Sequence, residues 1–136
     1  MINQGKNNGF TLLELIVTVA IISIVSSIAY PSYQQYLVRA NRAAAQQFLL
    51  EAASIQHQYF LANNGNGYAT QATLIGASGL LSTPSSISSY YEITVDPTTG
   101  ATSSSFTIIA TPLTNSIQQN DGYLSITNTG LKVGTW

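Results

Sequence analysis

The chemistry of this chain concentrates at one carboxylate in an awkward place. Glu14 lies in "GFTLLELIVTVAIISIVSSIAY", whose residues Phe10 to Tyr30 are otherwise almost wholly apolar or hydroxylated. At ~1.5 Å per residue such a helix is about long enough to cross a ~30 Å hydrocarbon core. An ionised acid near mid-helix costs on the order of 2.5–3.5 kcal/mol on insertion scales, and a place near the end of the run lowers that cost without supplying a partner. The chemistry open to Glu14 is therefore ion pairing, because opposite charges in a low-dielectric setting attract far more strongly than in water. Other chemistry is thinly provided. The chain has no cysteine, one His and one Met, which removes disulfides, thiol nucleophiles and Cys-based zinc sites. There is no Gly-x-Ser-x-Gly elbow, no phosphate-binding glycine loop and no zinc spacing. Catalytic, cofactor-binding and metal-ligating residues are accordingly assigned to none, and the chain is not expected to be an enzyme.

The apolar segment admits three interpretations. A polar leader, Met1 to Gly9, carries Lys6, and a positive charge there favours a cytoplasmic N-terminus with the remainder translocated. Arg39 and Arg42, past the segment, weaken that asymmetry. A secretory signal would use Lys6 as its basic region and Ser27–Ala29 as a cleavage site, but its apolar region is long and contains an acid. A plain membrane anchor also leaves Glu14 unexplained, and an intramembrane carboxylate by default marks a function with a partner.

The third interpretation supplies the partner. "GFTLLELIVTVAIISIV" closely resembles the N-terminal signature of type IV pilins and pseudopilins: Gly, Phe, Thr-Leu-Leu-Glu, then an apolar run. The resemblance implies a leader at residues 1–9, cut between Gly9 and Phe10 by a membrane prepilin peptidase that also N-methylates Phe10. It implies that residues 10–30 span the membrane and serve assembly. Glu14 would pair with the Phe10 amine of a neighbouring subunit, so that the charges neutralise each other in a dry filament core.

Pro31 predicts a kink or brief melting, since it removes a helical hydrogen bond, or else a helix that stops at Tyr30. Beyond it Leu37, Ala40, Ala44, Phe48, Ala52, Ile55, Tyr59 and Ala62 recur at three- and four-residue steps, one apolar stripe of a continuing helix. Asn63-Asn64-Gly65-Asn66-Gly67 is a stop signal rich in residues that tolerate left-handed backbone. "AYPSYQQYLVRANRAAAQ" adds to the resemblance, being similar to minor pilins of the PilE kind. Arg39 and Arg42 are candidates for lipid headgroup or inter-subunit contacts, against the plainer alternative of two solvated arginines. Tyr30, Tyr33 and Tyr36 suit a membrane interface. His57 is expected to have a surface or packing role.

Residues 68–89 read as a structured loop with at most one helical turn. "YYEITVD" (90–96) alternates as a half-buried strand, "DPTTG" (96–100) is turn chemistry, and "SFTIIAT" (105–111) and "GYLSITNTG" (122–130) are further strands. "LKVGTW" is a short fourth strand or a packed tail. The fold class is α+β: a long N-terminal helix, its first half membrane-spanning, packed on a 3–4-stranded antiparallel sheet, with residues 31–136 forming the head.

Pilins of this kind usually carry two cysteines near the C-terminus. Here Asp121 and Thr135 stand roughly where they would fall, and a missing staple typically forfeits ~2–4 kcal/mol. Packing through Val133 and Trp136 is expected to hold the loop. Asn120 and Asp121 offer calcium oxygens, far short of the six to eight that calcium takes, so a polar turn is the default.

The resemblance implies a minor pilin of a type IV pilus at the bacterial inner membrane, with a periplasmic head and later an extracellular filament. Its partners would be other pilin subunits, prepilin peptidase, the assembly machinery and membrane lipid. A major pilin or a type II secretion pseudopilin is the alternative, and a tip adhesin or DNA-binding module the next. The formal net charge is −1, and Lys132 is the one basic residue after Arg42. A nucleic-acid groove, which needs clustered Lys and Arg, is not expected.

Overall fold

Helix α1 occupies Leu12–Ala62 and runs without interruption through Pro31. The structure, a computed structural model, describes residues 9–76, 78–96 and 104–136. The leader up to Asn8 and most of the predicted 96–100 turn lie outside them. Neither the brief melting expected at Pro31 nor the alternative stop at Tyr30 occurs. Pro31 gives the Ser27 carbonyl no donor, and flanking hydroxyls bond back to the helix: Ser27 Oγ donates to the Ile24 carbonyl at 2.7 Å and Ser32 Oγ to that of Ile28 at 3.1 Å. The chain divides after Tyr36 into two units. In the first, every described residue is exposed.

The second unit, from Leu37 onward, is the α+β head. The buried face of α1 is Ala45, Phe48, Leu49, Ala52, Ala53 and Gln56. Relative to the predicted stripe it is rotated by about one position: Phe48 and Ala52 hold, whereas Ala40 and Ala62 are exposed. Ala45 and Ala52 are fully buried in the core, and Gln56 is buried with both ends of its amide bonded. The helix ends in a Schellman motif. Asn64 adopts a φ of 53°, and Gly65 N–H returns to the Phe60 carbonyl at 2.9 Å.

Two short helices, α2 (Gln71–Ile75) and α3 (Ser85–Ser88), stand where a loop with one turn was expected. Thr70 caps α2 by accepting from Thr73 N–H. Four strands follow: β1 (Tyr91–Asp96), β2 (Thr107–Pro112), β3 (Leu124–Thr127) and β4 (Lys132–Gly134). They form one antiparallel sheet in the order β1-β2-β3-β4. Tyr91, Ile93 and Val95 are buried on one face; Ile93 is in register with Ala110 and Leu124, Val95 with Ile108 and Ile126, and Tyr91 with Pro112. β3 is shorter than its predicted span because Gly122, at φ 81°, and the turn at Asn128–Gly130 bound it. Gly134 sits at φ 98° against the Tyr123 carbonyl, where any β-carbon would collide. A side chain there would push β4 off the sheet.

Candidate assembly site

The N-terminal site is built by the first turn of α1. Gly9 is exposed with nothing within 4 Å of where a β-carbon would stand, and Phe10 is 83% exposed. Glu14 is exposed on a helix face that is otherwise apolar, but it is not unpaired within its helix as its sequence setting implies. Thr11 N–H and Thr11 Oγ1–H both donate to Glu14 Oε2 at 3.4 Å, and Glu14 N–H donates to Thr11 Oγ1 at 3.2 Å. This reciprocal arrangement is a capping box, and its signal, Thr-x-x-Glu, is visible in the sequence. The acid also sits favourably at the positive end of the helix dipole. Both carboxylate bonds are long, so the oxygens retain capacity for a stronger cationic donor.

Behind the first turn, Thr18 Oγ1 donates to the Glu14 carbonyl at 2.6 Å and Ser23 Oγ to that of Val19 at 2.8 Å. These hydroxyls are thereby silenced inside the helix, leaving an apolar surface that meets the length and composition of a membrane span. Tyr30, Tyr33 and Tyr36, each more than half exposed, lie at its far end.

The second polar centre is in the head. Asp121 is buried, and its carboxylate accepts from Arg42 through both Nε, at 3.0 Å, and Nη2. It also accepts from Tyr91 O–H at 2.7 Å and from Gln118 Nε2 at 3.0 Å. Gln118 Nε2 reaches Tyr91 Oη at 2.6 Å and the Val38 carbonyl at 3.2 Å. The loop before β3 is thus tied to α1 and to β1 at once. Burial pushes the Tyr91 phenol above its ordinary range, against smaller opposing effects from the Gln118 hydrogen bond and the Arg42 charge.

The cluster bears on two expectations. Arg42 pairs with Asp121 of its own head rather than standing solvated, while Arg39 is exposed and forms no ion pair among the described residues. Asp121 closes the polar turn before β3, as the default had it, but it is buried, and its oxygens receive an arginine, a phenol and an amide. Thr135 does lie against this segment, its N–H donating to the Tyr123 carbonyl at 3.1 Å. The Arg42–Asp121 pair therefore ties down the segment that leads into β3. Trp136 contributes as expected: its indole N–H donates to the Ser125 and Val133 carbonyls, with Lys132 Nζ 4.6 Å above the ring. Val133 itself is exposed. His57 is exposed, with its ring edge-on to Tyr68 at 5.8 Å and to Phe106 at 5.6 Å.

An unburied apolar helix half that leads into a helix-backed antiparallel meander is the architecture of a type IV pilin. A solved structure of a type IV pilin from Shewanella oneidensis matches at TM-score 0.50 and 25% identity, over 71% of this chain and 90% of that one. Residues 31–124 match the family model described as type IV minor pilin ComP, DNA uptake sequence receptor, and residues 4–30 match the prokaryotic N-terminal methylation motif. The chain belongs to the type IV pilins, within the ComP minor pilin family. It is 30% identical to the type IV major pilin PilE1 of Neisseria gonorrhoeae over 81% of its own length and 62% of that protein's. It is 37% identical to the wide pilus major component PilA4 of Thermus thermophilus, over 58% of this chain and 59% of that one. The chain thus spans less than two thirds of the length of these curated relatives.

Proposed function

We propose that this chain is a minor pilin, processed between Gly9 and Phe10, N-methylated at Phe10, and assembled into a type IV pilus through α1. The observation that carries the reading is a carboxylate exposed on an apolar helix face within one turn of the Gly9–Phe10 bond. Before assembly, residues 10–30 lie in the inner membrane with the head on the periplasmic side. On assembly, Glu14 exchanges its long bonds from Thr11 for the methylated amine of a neighbour's Phe10, and the pair neutralises itself away from water. Processing removes Lys6 with the leader and leaves three basic and five acidic side chains, too little charge for strong repulsion between packed heads. The protein acts as substrate of prepilin peptidase and as building material, not as an enzyme.

The family description raises a second reading, a DNA receptor. The head's cations are Arg39, Arg42 and Lys132, of which Arg42 pairs with Asp121 and Lys132 lies over Trp136, while Glu51, Glu92 and Asp96 are exposed. That distribution favours the structural role over a phosphate-tracking surface. A salt-sensitive gel shift of the full chain with duplex DNA would reverse the preference.

The test is the intact mass and N-terminal residue of the protein from its native membranes. A chain that begins at Phe10 and carries one extra methyl group is expected, and Gly9→Val is expected to block processing. A start at Tyr30 or an unprocessed chain would overturn the proposal.

A further inference from the structure

Three residue pairs in the described chain place a glycine directly after an asparagine or aspartate: Asn64–Gly65, Asn66–Gly67 and Asp121–Gly122. A following glycine has no β-carbon to hinder attack by its own backbone nitrogen. That nitrogen can attack the side-chain carbonyl carbon and close a five-membered succinimide. Ring closure needs a backbone N–H that is not engaged as a donor and a side chain free to turn.

The fold treats the three pairs differently. Gly65 N–H is engaged with the Phe60 carbonyl at 2.9 Å, and Asn64 is fixed in the left-handed position of the helix cap. Asp121 is buried, its carboxylate held by Arg42, Tyr91 and Gln118. Asn66 is exposed, and among the described residues its side chain makes no hydrogen bond and the N–H of buried Gly67 has no acceptor. We propose that Asn66 is a site of spontaneous deamidation and isoaspartate formation, and that the fold protects Asn64 from the same reaction and Asp121 from the corresponding ring closure with loss of water.

The chemistry needs only water. Gly67 N bonds to Asn66 Cγ, the side-chain amide C–N bond breaks, and ammonia leaves. Water then opens the ring at either carbonyl, giving aspartate or isoaspartate. The product places a negative charge just past the C-terminal, electronegative end of α1. The isoaspartate form also adds a backbone carbon three residues before Ala69, whose N–H and C=O are both clamped by buried Gln56 at 2.7 and 2.8 Å. Aged subunits are therefore expected to carry a more acidic and looser loop.

The test ages the full chain in detergent micelles at mildly alkaline pH beside an aliquot unfolded in urea, and reads both by intact mass and fragmentation. The folded protein is expected to gain about one dalton at Asn66 with Asn64 unchanged, whereas the unfolded chain gains it at both. Asn66→Gln should abolish the gain at position 66 in the folded sample, fragmentation separating it from any gain at Asn8. Gain at Asn64 as fast as at Asn66 in the folded protein would overturn the proposal. So would no gain in the folded protein while the unfolded chain reacts.

Discussion

Two carboxylates, Glu14 and Asp121, show how one chain handles acids in apolar surroundings in opposite ways. Asp121 is consumed: its oxygens take an arginine and a phenol from distant elements and an amide from its own loop, and it is sealed in the head. Glu14 has a hydroxyl and an amide from one threonine, each at 3.4 Å, and remains exposed. A buried ion pair with every donor in place can serve as a staple, since removing one partner strands the other charge. A carboxylate with weak local bonds on an otherwise apolar helix is poised for a cation that none of the described residues presents to it. The same helix carries both regimes. Its second half closes a core, while its first half keeps its apolar surface open.

Breaking the staple should have the largest effect. Asp121→Ala leaves Arg42 without its carboxylate in a partly buried site and is expected to cost ~3–5 kcal/mol of head stability, read by denaturant unfolding of the full chain in micelles. An Asp121 variant as stable as wild type would remove the pair from this account. Next in size is Gln56→Ala. It orphans the N–H and C=O of Ala69, which Gln56 holds as a neighbouring strand would, and should cost ~1–3 kcal/mol in the same assay. Gln56→Glu would sharpen the point, because it keeps the acceptor but loses the donor to the Ala69 carbonyl.

Alkali probes the cluster without mutation. The folded Tyr91 phenol is pushed above its ordinary 10.0, so its stabilising contribution is whole below about pH 10 and is lost as pH rises through the folded value. Comparing the pH dependence of unfolding in wild type and Tyr91→Phe should show a steeper alkaline loss in wild type. At the other end of the helix the effect is smallest. Thr11→Ala removes the cap and should destabilise the first turn by ~0.5–2 kcal/mol, seen as faster amide exchange there with the head unchanged.

The difference between the two acids was only partly legible from sequence. Glu14 stands out because it violates the pattern around it, and the Thr11-x-x-Glu14 spacing that satisfies it locally is equally visible. Arg42 and Asp121 are separated by 79 positions, and each looks like an ordinary surface residue in its own neighbourhood. No local pattern could join them. Gln56 is obscured for a related reason: a polar residue breaks an apolar stripe unless its partner, here a backbone segment beyond the helix stop, is known. Strands were readable because alternation is local, as at Tyr91, Ile93 and Val95. Their ends depended on turn geometry, which let β3 shrink to Leu124–Thr127.

Glu14→Gln tests the central claim most directly. Glutamine preserves the capping box, because its side-chain oxygen still accepts from Thr11, but it removes the charge. The assay is the amount of processed protein recovered in sheared filaments, compared with wild type and with Glu14→Val. This account predicts that both variants are cleaved at Gly9–Phe10 and that both fail to enter filaments efficiently. If Glu14→Gln assembled as well as wild type while Glu14→Val did not, the capping role would suffice and the pairing of Glu14 with a neighbour's amine would be contradicted.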